Sequence, residues 1–234
     1  MRINKFISES GITSRREADK WIAAGRVTIN GAIAELGSKV DPGDDVRADN
    51  KPIVVEQENV YIVLNKPVGI TSTTDRNIKG NIVDFVNHPK RIFHIGRLDK
   101  DSEGLILLTN DGDIVNEILR AENKHEKEYI VSVDKPITAA FLSEISDGVE
   151  ILDTKTLPCK VTKISKYTFR IILTQGLNRQ IRRMCSALDY QVQKLQRIRV
   201  MNIHIDSLSV GHWRDLTKEE LNQLFNDLNY RRGK

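Results

Sequence analysis

The sequence predicts an α+β protein in two parts: a small N-terminal module of helices and a small sheet, then a larger domain on a mixed, mostly antiparallel sheet with flanking helices. Three observations predict it. Residues 1–50 switch from helical spacing to hairpin signals within a short span. From Tyr61 onward, short strand-like runs are separated by turns and only a few amphipathic helices. Between the two lies a polar stretch, opened by Asn50-Lys51-Pro52 and carrying Glu56, Gln57 and Glu58. The expected division is therefore 1–50, a linker at 51–59, and 60–234.

In the N-terminal part, Ile3, Phe6 and Ile7 stand at helical spacing, and Gly11 ends that helix. Ser14-Arg15-Arg16-Glu17 is a capping-box pattern opening a second helix, with Ala18, Trp21 and Ile22 on one face and a stop near Gly25. Arg15 and Arg16 fall in its first turn, where the helix dipole disfavours cations, so an anion such as phosphate is the natural neighbour. Val27-Thr28-Ile29 then runs into Asn30-Gly31, a two-residue hairpin signal, and Asp45-Val46-Arg47 follows the turn at 41–44.

In the larger part, Tyr61-Ile62-Val63-Leu64 reads as a buried strand stopped by Asn65-Lys66-Pro67. Further strands are expected at 105–109, 127–133, 159–164, 167–174, 192–198 and 201–205, and helices at 82–86, 113–120, 139–146, 178–188 and 218–228.

Composition narrows the function. No apolar run approaches the roughly 18 residues of a membrane span, and MRINKFISESG has no signal-peptide character. Cys159 and Cys185 form neither a C-x-x-C pair nor a disulfide framework. The expectation is a cytoplasmic protein without membrane partners. The net charge of +4 hides a cluster: residues 175–200 hold six cations against the single Asp189. A local basic patch in a near-neutral chain suits a polyanion.

Three elements could carry chemistry. Gly96-Arg97-Leu98-Asp99-Lys100-Asp101-Ser102-Glu103-Gly104 is a charged loop bracketed by glycines beside an apolar strand; Asp99 could be a turn-former, a cap or a reacting group, and Asp101 or Glu103 an acid/base partner. In Asn178-Arg179-Gln180-Ile181-Arg182-Arg183-Met184, Ile181, Met184, Cys185 and Leu188 share one helix face. Arg182 falls on its flank, placed to reach a cleft, with Arg179 and Arg183 on the far side. Finally, Glu126-Lys127-Glu128-Tyr129 opens a strand.

Residues 3–46 resemble the S4 RNA-binding domain, which implicates Thr13, Ser14, Arg15, Arg16 and Lys20 in RNA contact. The strings NKPVGITS, GRLDKDSEGLILLTNDG, KEY and GLNRQIRRM, in that order, resemble the motifs of the pseudouridine synthase superfamily, in its branch with an S4 domain in front that acts on ribosomal RNA. That resemblance implies isomerisation of uridine in structured RNA, large-subunit ribosomal RNA first and transfer RNA as a further class. The N1–C1′ bond breaks, the base rotates, and C5 joins C1′. No cofactor or metal is implied, in keeping with a sequence without a dinucleotide loop, P-loop or His/Cys ligand spacing.

The resemblance further implies Asp99 as nucleophile, at C6 or at C1′, kept ionised by Arg182. Tyr129 would stack on the base, Leu195 would form an apolar wall, and Arg97 would fill the place of the extruded uridine. Arg179, Arg183, Arg197 and Arg199 would hold phosphates. A monomer is expected. A non-catalytic S4-type RNA-binding or ribosome-associated factor would explain the basic cluster but not the three chemical motifs together. An S4-bearing methyltransferase would need a glycine-rich turn for which Asp111-Gly112-Asp113 is a poor substitute.

Overall fold

The structure, a computed structural model, describes residues 1–55, 58–120 and 124–230. The chain forms two compact units, Met1–Val60 with His88–Ile92 and Asn110–Gly112, and Tyr61–Asn87 with Phe93–Thr109 and the chain from Asp113 onward. Among the described residues no helix is long and apolar enough to cross a membrane.

The first unit packs α1 (Ile3–Glu9) and α2 (Arg15–Ala23) on a four-stranded sheet of order β2-β1-β3-β4, with β1 at Val27–Ile29, β2 at Ala32–Ile33, β3 at Val46–Ala48 and β4 at Lys51–Pro52. Its core is Ile3, Ile7, Ala18, Ile22, Val27, Ala34, Val40, Val46 and Ile53. The linker expected from residue 51 therefore starts later. Lys51 pairs with Ala48 in the sheet and Ile53 is buried, because a hairpin across Asp49 and Asn50, both at positive φ, returns the chain to its own core. Glu56 and Gln57 of that linker lie outside the described residues. Only half of the expected capping box forms at α2: Ser14 Oγ accepts from Glu17 N at 3.1 Å, while the Glu17 carboxylate pairs with Lys20 at 2.9 Å.

The second unit is built on a nine-stranded sheet whose main path is β11-β12-β8-β13-β7-β5-β15. These strands are β5 (Tyr61–Lys66), β7 (Glu103–Thr109), β8 (Lys127–Val133), β11 (Lys160–Lys163), β12 (Thr168–Leu173), β13 (Val192–Val200) and β15 (Trp213–Asp215). The short β6 (Phe93–Ile95) pairs with β7, and β14 (Ile203–His204) with β13. The β13–β7 pair is parallel and the others are antiparallel, so the sheet is mixed as the sequence predicts. A separate two-stranded ribbon joins β9 (Glu150–Ile151) to β10 (Thr154–Lys155).

Two apolar cores lie along the large sheet. Tyr61, Val63, Leu105 and Leu107 pack with Ile114 and Ile118 of α4 (Gly112–Leu119) and Leu224 of α7 (Lys218–Asp227). Val131, Val133, Phe169, Ile171 and Leu195 pack with Phe141 and Ile145 of α5 (Ala139–Asp147) and with Ile181, Met184 and Cys185 of α6 (Gln180–Ala187). The apolar face read from the sequence of α6 is the one that is buried. The short α3 spans Ile82–Val86.

A candidate active site at the join of the two cores

Gly104 fixes where the two halves of the sheet meet. It faces Arg197 in the parallel β7–β13 register, and a Cβ there would lie 2.2 Å from the Arg197 carbonyl oxygen and 2.7 Å from its nitrogen. Its φ of +111° is also one that side chains avoid. A glycine thus lets the strand after the charged loop come against β13, and the loop is left beside a cavity of about 460 Å³. That cavity is lined by both cores, by Ile95, Ile118 and Val200 on one side and Leu173, Ile181 and Leu195 on the other. Asp99, Arg97, Tyr129, Arg179 and Arg197 line it as well.

The loop backbone is held from three directions. Gly69 N donates to Lys100 O at 2.7 Å, while the Ser72 hydroxyl donates to Leu98 O at 2.7 Å and accepts from Leu98 N at 3.2 Å. Both belong to NKPVGITS, so that string serves the loop that carries Asp99. Arg182 Nη2 donates to Asp101 O at 2.8 Å and to Ser102 Oγ at 3.1 Å. Arg197 Nη1 donates to Arg97 O at 3.3 Å.

Lys66 was read as part of a strand-stopping turn. Instead β5 continues through it, and its side chain is fully buried, with Nζ donating to Pro67 O and Ile70 O at 2.9 Å each. Burial, then the charge of Arg197, push its pKa from 10.5 down to about 8, against the opposing pull of Asp101, Asp99 and Glu103.

The arginines differ most from expectation. Arg182 makes no ion pair with Asp99 among the described residues; its Nε lies 3.4 Å from Asp101 Oδ2 and its side chain is nearly buried against the loop backbone. The cation nearest the Asp99 carboxylate is Arg179, at 3.8 Å. Arg179 caps α6 in the left-handed conformation, which turns its side chain to the loop, where it grips Asp101 with two bonds of 3.0 and 2.9 Å. That grip holds the Asp101 carboxyl below its ordinary pKa. Arg179 is therefore a cleft residue and not the outward phosphate contact read from an assumed straight helix.

Arg197 and Arg199 are corrected together. Arg197 is buried, its Nε donating to Leu105 O at 2.6 Å. A bulge between them pairs Arg197 with Tyr129 but Arg199 with Glu128, so the two point to opposite faces of the sheet. Arg199 is spent on Glu128 at 2.7 Å and Glu126 at 2.8 Å. Neither is a free surface cation. Arg183 is exposed and folds back on Asn178.

Tyr129 is half-buried and Leu195 buried, both on the cavity wall, from adjacent strands β8 and β13. Arg97 is exposed at the same wall. In the first unit, Arg15, Arg16 and Lys20 are exposed on α2, with Thr13 and Ser14 partly covered at its start. Arg15 and Arg16 have no carboxylate partner among the described residues. Cys159 and Cys185 are both free, and burial pushes their thiols up to about 11 and about 12.

The chain thus has two parts, with a charged glycine-bracketed loop over a cleft at the middle of a mixed sheet. Comparison with known proteins gives the class. A family model described as RNA pseudouridylate synthase matches residues 60–187, and one for the S4 domain matches residues 1–46. The chain is 58% identical over 227 residues to the dual-specificity RNA pseudouridine synthase RluF of Escherichia coli strain K12, covering 96% of this chain and 78% of that protein. It is 36% identical over 232 residues to the ribosomal large subunit pseudouridine synthase B of Bacillus subtilis strain 168, covering 95% of each. A crystal structure of a pseudouridylate synthase superposes with a TM-score of 0.70 at 29% identity, over 96% of this chain and 99% of that one. The chain belongs to the RNA pseudouridylate synthase family, with an S4 domain in front. It is an enzyme that isomerises uridine in RNA to pseudouridine.

Proposed function

We propose that Asp99 is the nucleophile of this isomerisation and that the substrate uridine lies in structured ribosomal RNA of the large subunit, with transfer RNA as a second class. What carries the reading is the place of Asp99: it is the one carboxylate among the described residues lining the cavity, and a guanidinium stands 3.8 Å from it. A carboxylate at the wall of a cavity that admits a nucleoside can attack carbon. The attack falls on C6 or on C1′; the N1–C1′ bond then opens, the base turns within the cavity, C5 closes on C1′, and the bond to Asp99 breaks to return its carboxylate. C5 gives up its proton and N1 takes one up, so atoms and electrons balance. Tyr129 and Leu195, both lining the cavity, are the aromatic and apolar surfaces proposed to hold the uracil ring, with Tyr129 assisting proton removal from C5. The base must leave its own stack to reach this depth, and Arg97 at the cavity wall is suited to fill the gap.

The division of labour proposed is an S4 module within residues 1–53 that contacts RNA through Arg15, Arg16 and Lys20, and a catalytic domain from residue 60, acting as a monomer in the cytoplasm. The test is incubation of the purified chain with unmodified large-subunit ribosomal RNA transcribed in vitro, and separately with transfer RNA, followed by pseudouridine mapping. Conversion at discrete ribosomal uridines is expected; conversion of transfer RNA alone would overturn the substrate assignment.

A further inference from the structure

The cations of the cavity are unequally neutralised. Arg179 has Asp101 at 2.9 Å and Arg120 has Glu117 at 3.3 Å. Arg97, Lys127 and Arg197 line the same cavity and make no ion pair among the described residues. Lys127 is half-buried on β8, on the face that also carries Tyr129, and its one side-chain hydrogen bond among the described residues runs to His125 O at a long 3.5 Å. Burial and the nearby Arg197 charge push its pKa down. Arg197 is 96% withdrawn from solvent, and its Nε and Nη1 donate to the carbonyls of Leu105 and Arg97. Cations taken from water without a counter-charge are costly, so an anion arriving there is strongly favoured.

We propose that Lys127, with Arg97 lining the same cavity, is a phosphate subsite that takes a non-bridging oxygen of the RNA backbone next to the uridine held at Asp99. This rests on the assignment of Asp99 above. A phosphodiester fits better than a uracil carbonyl because it brings a permanent negative charge to cations that lack one, and an ammonium suits phosphate as a point charge. Tyr129 and Lys127 then divide one nucleotide between them, base to the ring and backbone to the ammonium.

The test uses the full chain and a ribosomal RNA fragment whose target uridine has been mapped with the wild-type enzyme. Two further fragments carry a neutral methylphosphonate linkage, one 5′ and one 3′ of that uridine. Lys127→Gln is expected to weaken binding by on the order of tenfold and to lower the salt slope by about 0.7 to 0.9, with a smaller effect on the single-turnover rate at saturating RNA. Lys127→Arg is expected to retain binding. At one of the two positions the neutral linkage should weaken wild-type binding by the same factor yet add nothing in Lys127→Gln. A fall in saturating rate without coupling to either linkage would mean that Lys127 meets the base, and would overturn the proposal. So would an absence of any penalty from both neutral linkages with the wild-type chain, a result that does not depend on a variant folding. If Asp99→Asn still isomerises while the Lys127 coupling holds, the Asp99 assignment fails and the subsite stands.

Discussion

Lys66 shows how a single residue can be misread. In NKPVG the proline and glycine announce a turn, and a lysine in a turn is ordinarily solvated. Its burial comes from long-range placement: β5 runs antiparallel to β7, with Lys66 opposite Gly104, beneath the loop of Asp99. The folded state holds this ammonium at a pKa near 8 against an ordinary 10.5. Below pH 8 both states carry the proton and the burial cost is full; between pH 8 and 10.5 the unfolded chain binds it more, so stability rises with pH. Relative to Lys66→Met, the wild type is expected to gain up to a few kcal/mol across that window, measured by denaturant unfolding at several pH values. Parallel pH curves for the two would contradict it. The role of Asp99 is what the resemblance implies and what is proposed above; its loop was legible from the sequence because the motif is local and bracketed by two glycines. The partner of its carboxylate was not, since a left-handed cap at Arg179 changes which arginine faces the loop, and that cap follows from packing and not from helical periodicity.

At the scale of elements, the β7–β13 junction holds the site together. Gly104→Ala would place a methyl 2.2 Å from the Arg197 carbonyl at a φ that alanine resists, and is expected to cost about 3 kcal/mol or more. Urea unfolding would read the loss, and activity should fall with it as the Asp99 loop shifts. An unchanged midpoint would mean the strands separate there at little cost. The long apolar or alternating runs, 61–64, 105–109 and 127–133, were readable as strands because each buries one or both faces. The short β6, β9, β10 and β15 escaped because two or three residues carry no period. The bulge that sends Arg197 and Arg199 to opposite faces has no sequence signal of its own; it left two arginines looking like one phosphate-binding pair.

Across the whole molecule, the proposed function gives the two units different shares of RNA recognition. Arg15 and Arg16 lie at the start of α2, exposed and without carboxylate partners among the described residues, whereas several cations of the 175–200 cluster are committed to carboxylates or carbonyls. Net charge over a window therefore overstated the second region as a phosphate footprint. Replacing Arg15 and Arg16 with alanine is expected to weaken RNA binding and reduce the salt slope by about 1 to 2, with the single-turnover rate on saturating RNA less affected. An unchanged slope would place the RNA backbone away from α2. The most direct measurement is single-turnover pseudouridine formation by Asp99→Asn on a mapped ribosomal RNA fragment, with binding measured in parallel. The expected result is retained binding and a rate at least about 10⁴-fold below wild type; a rate within tenfold of wild type would contradict a carboxylate at position 99 as the attacking group.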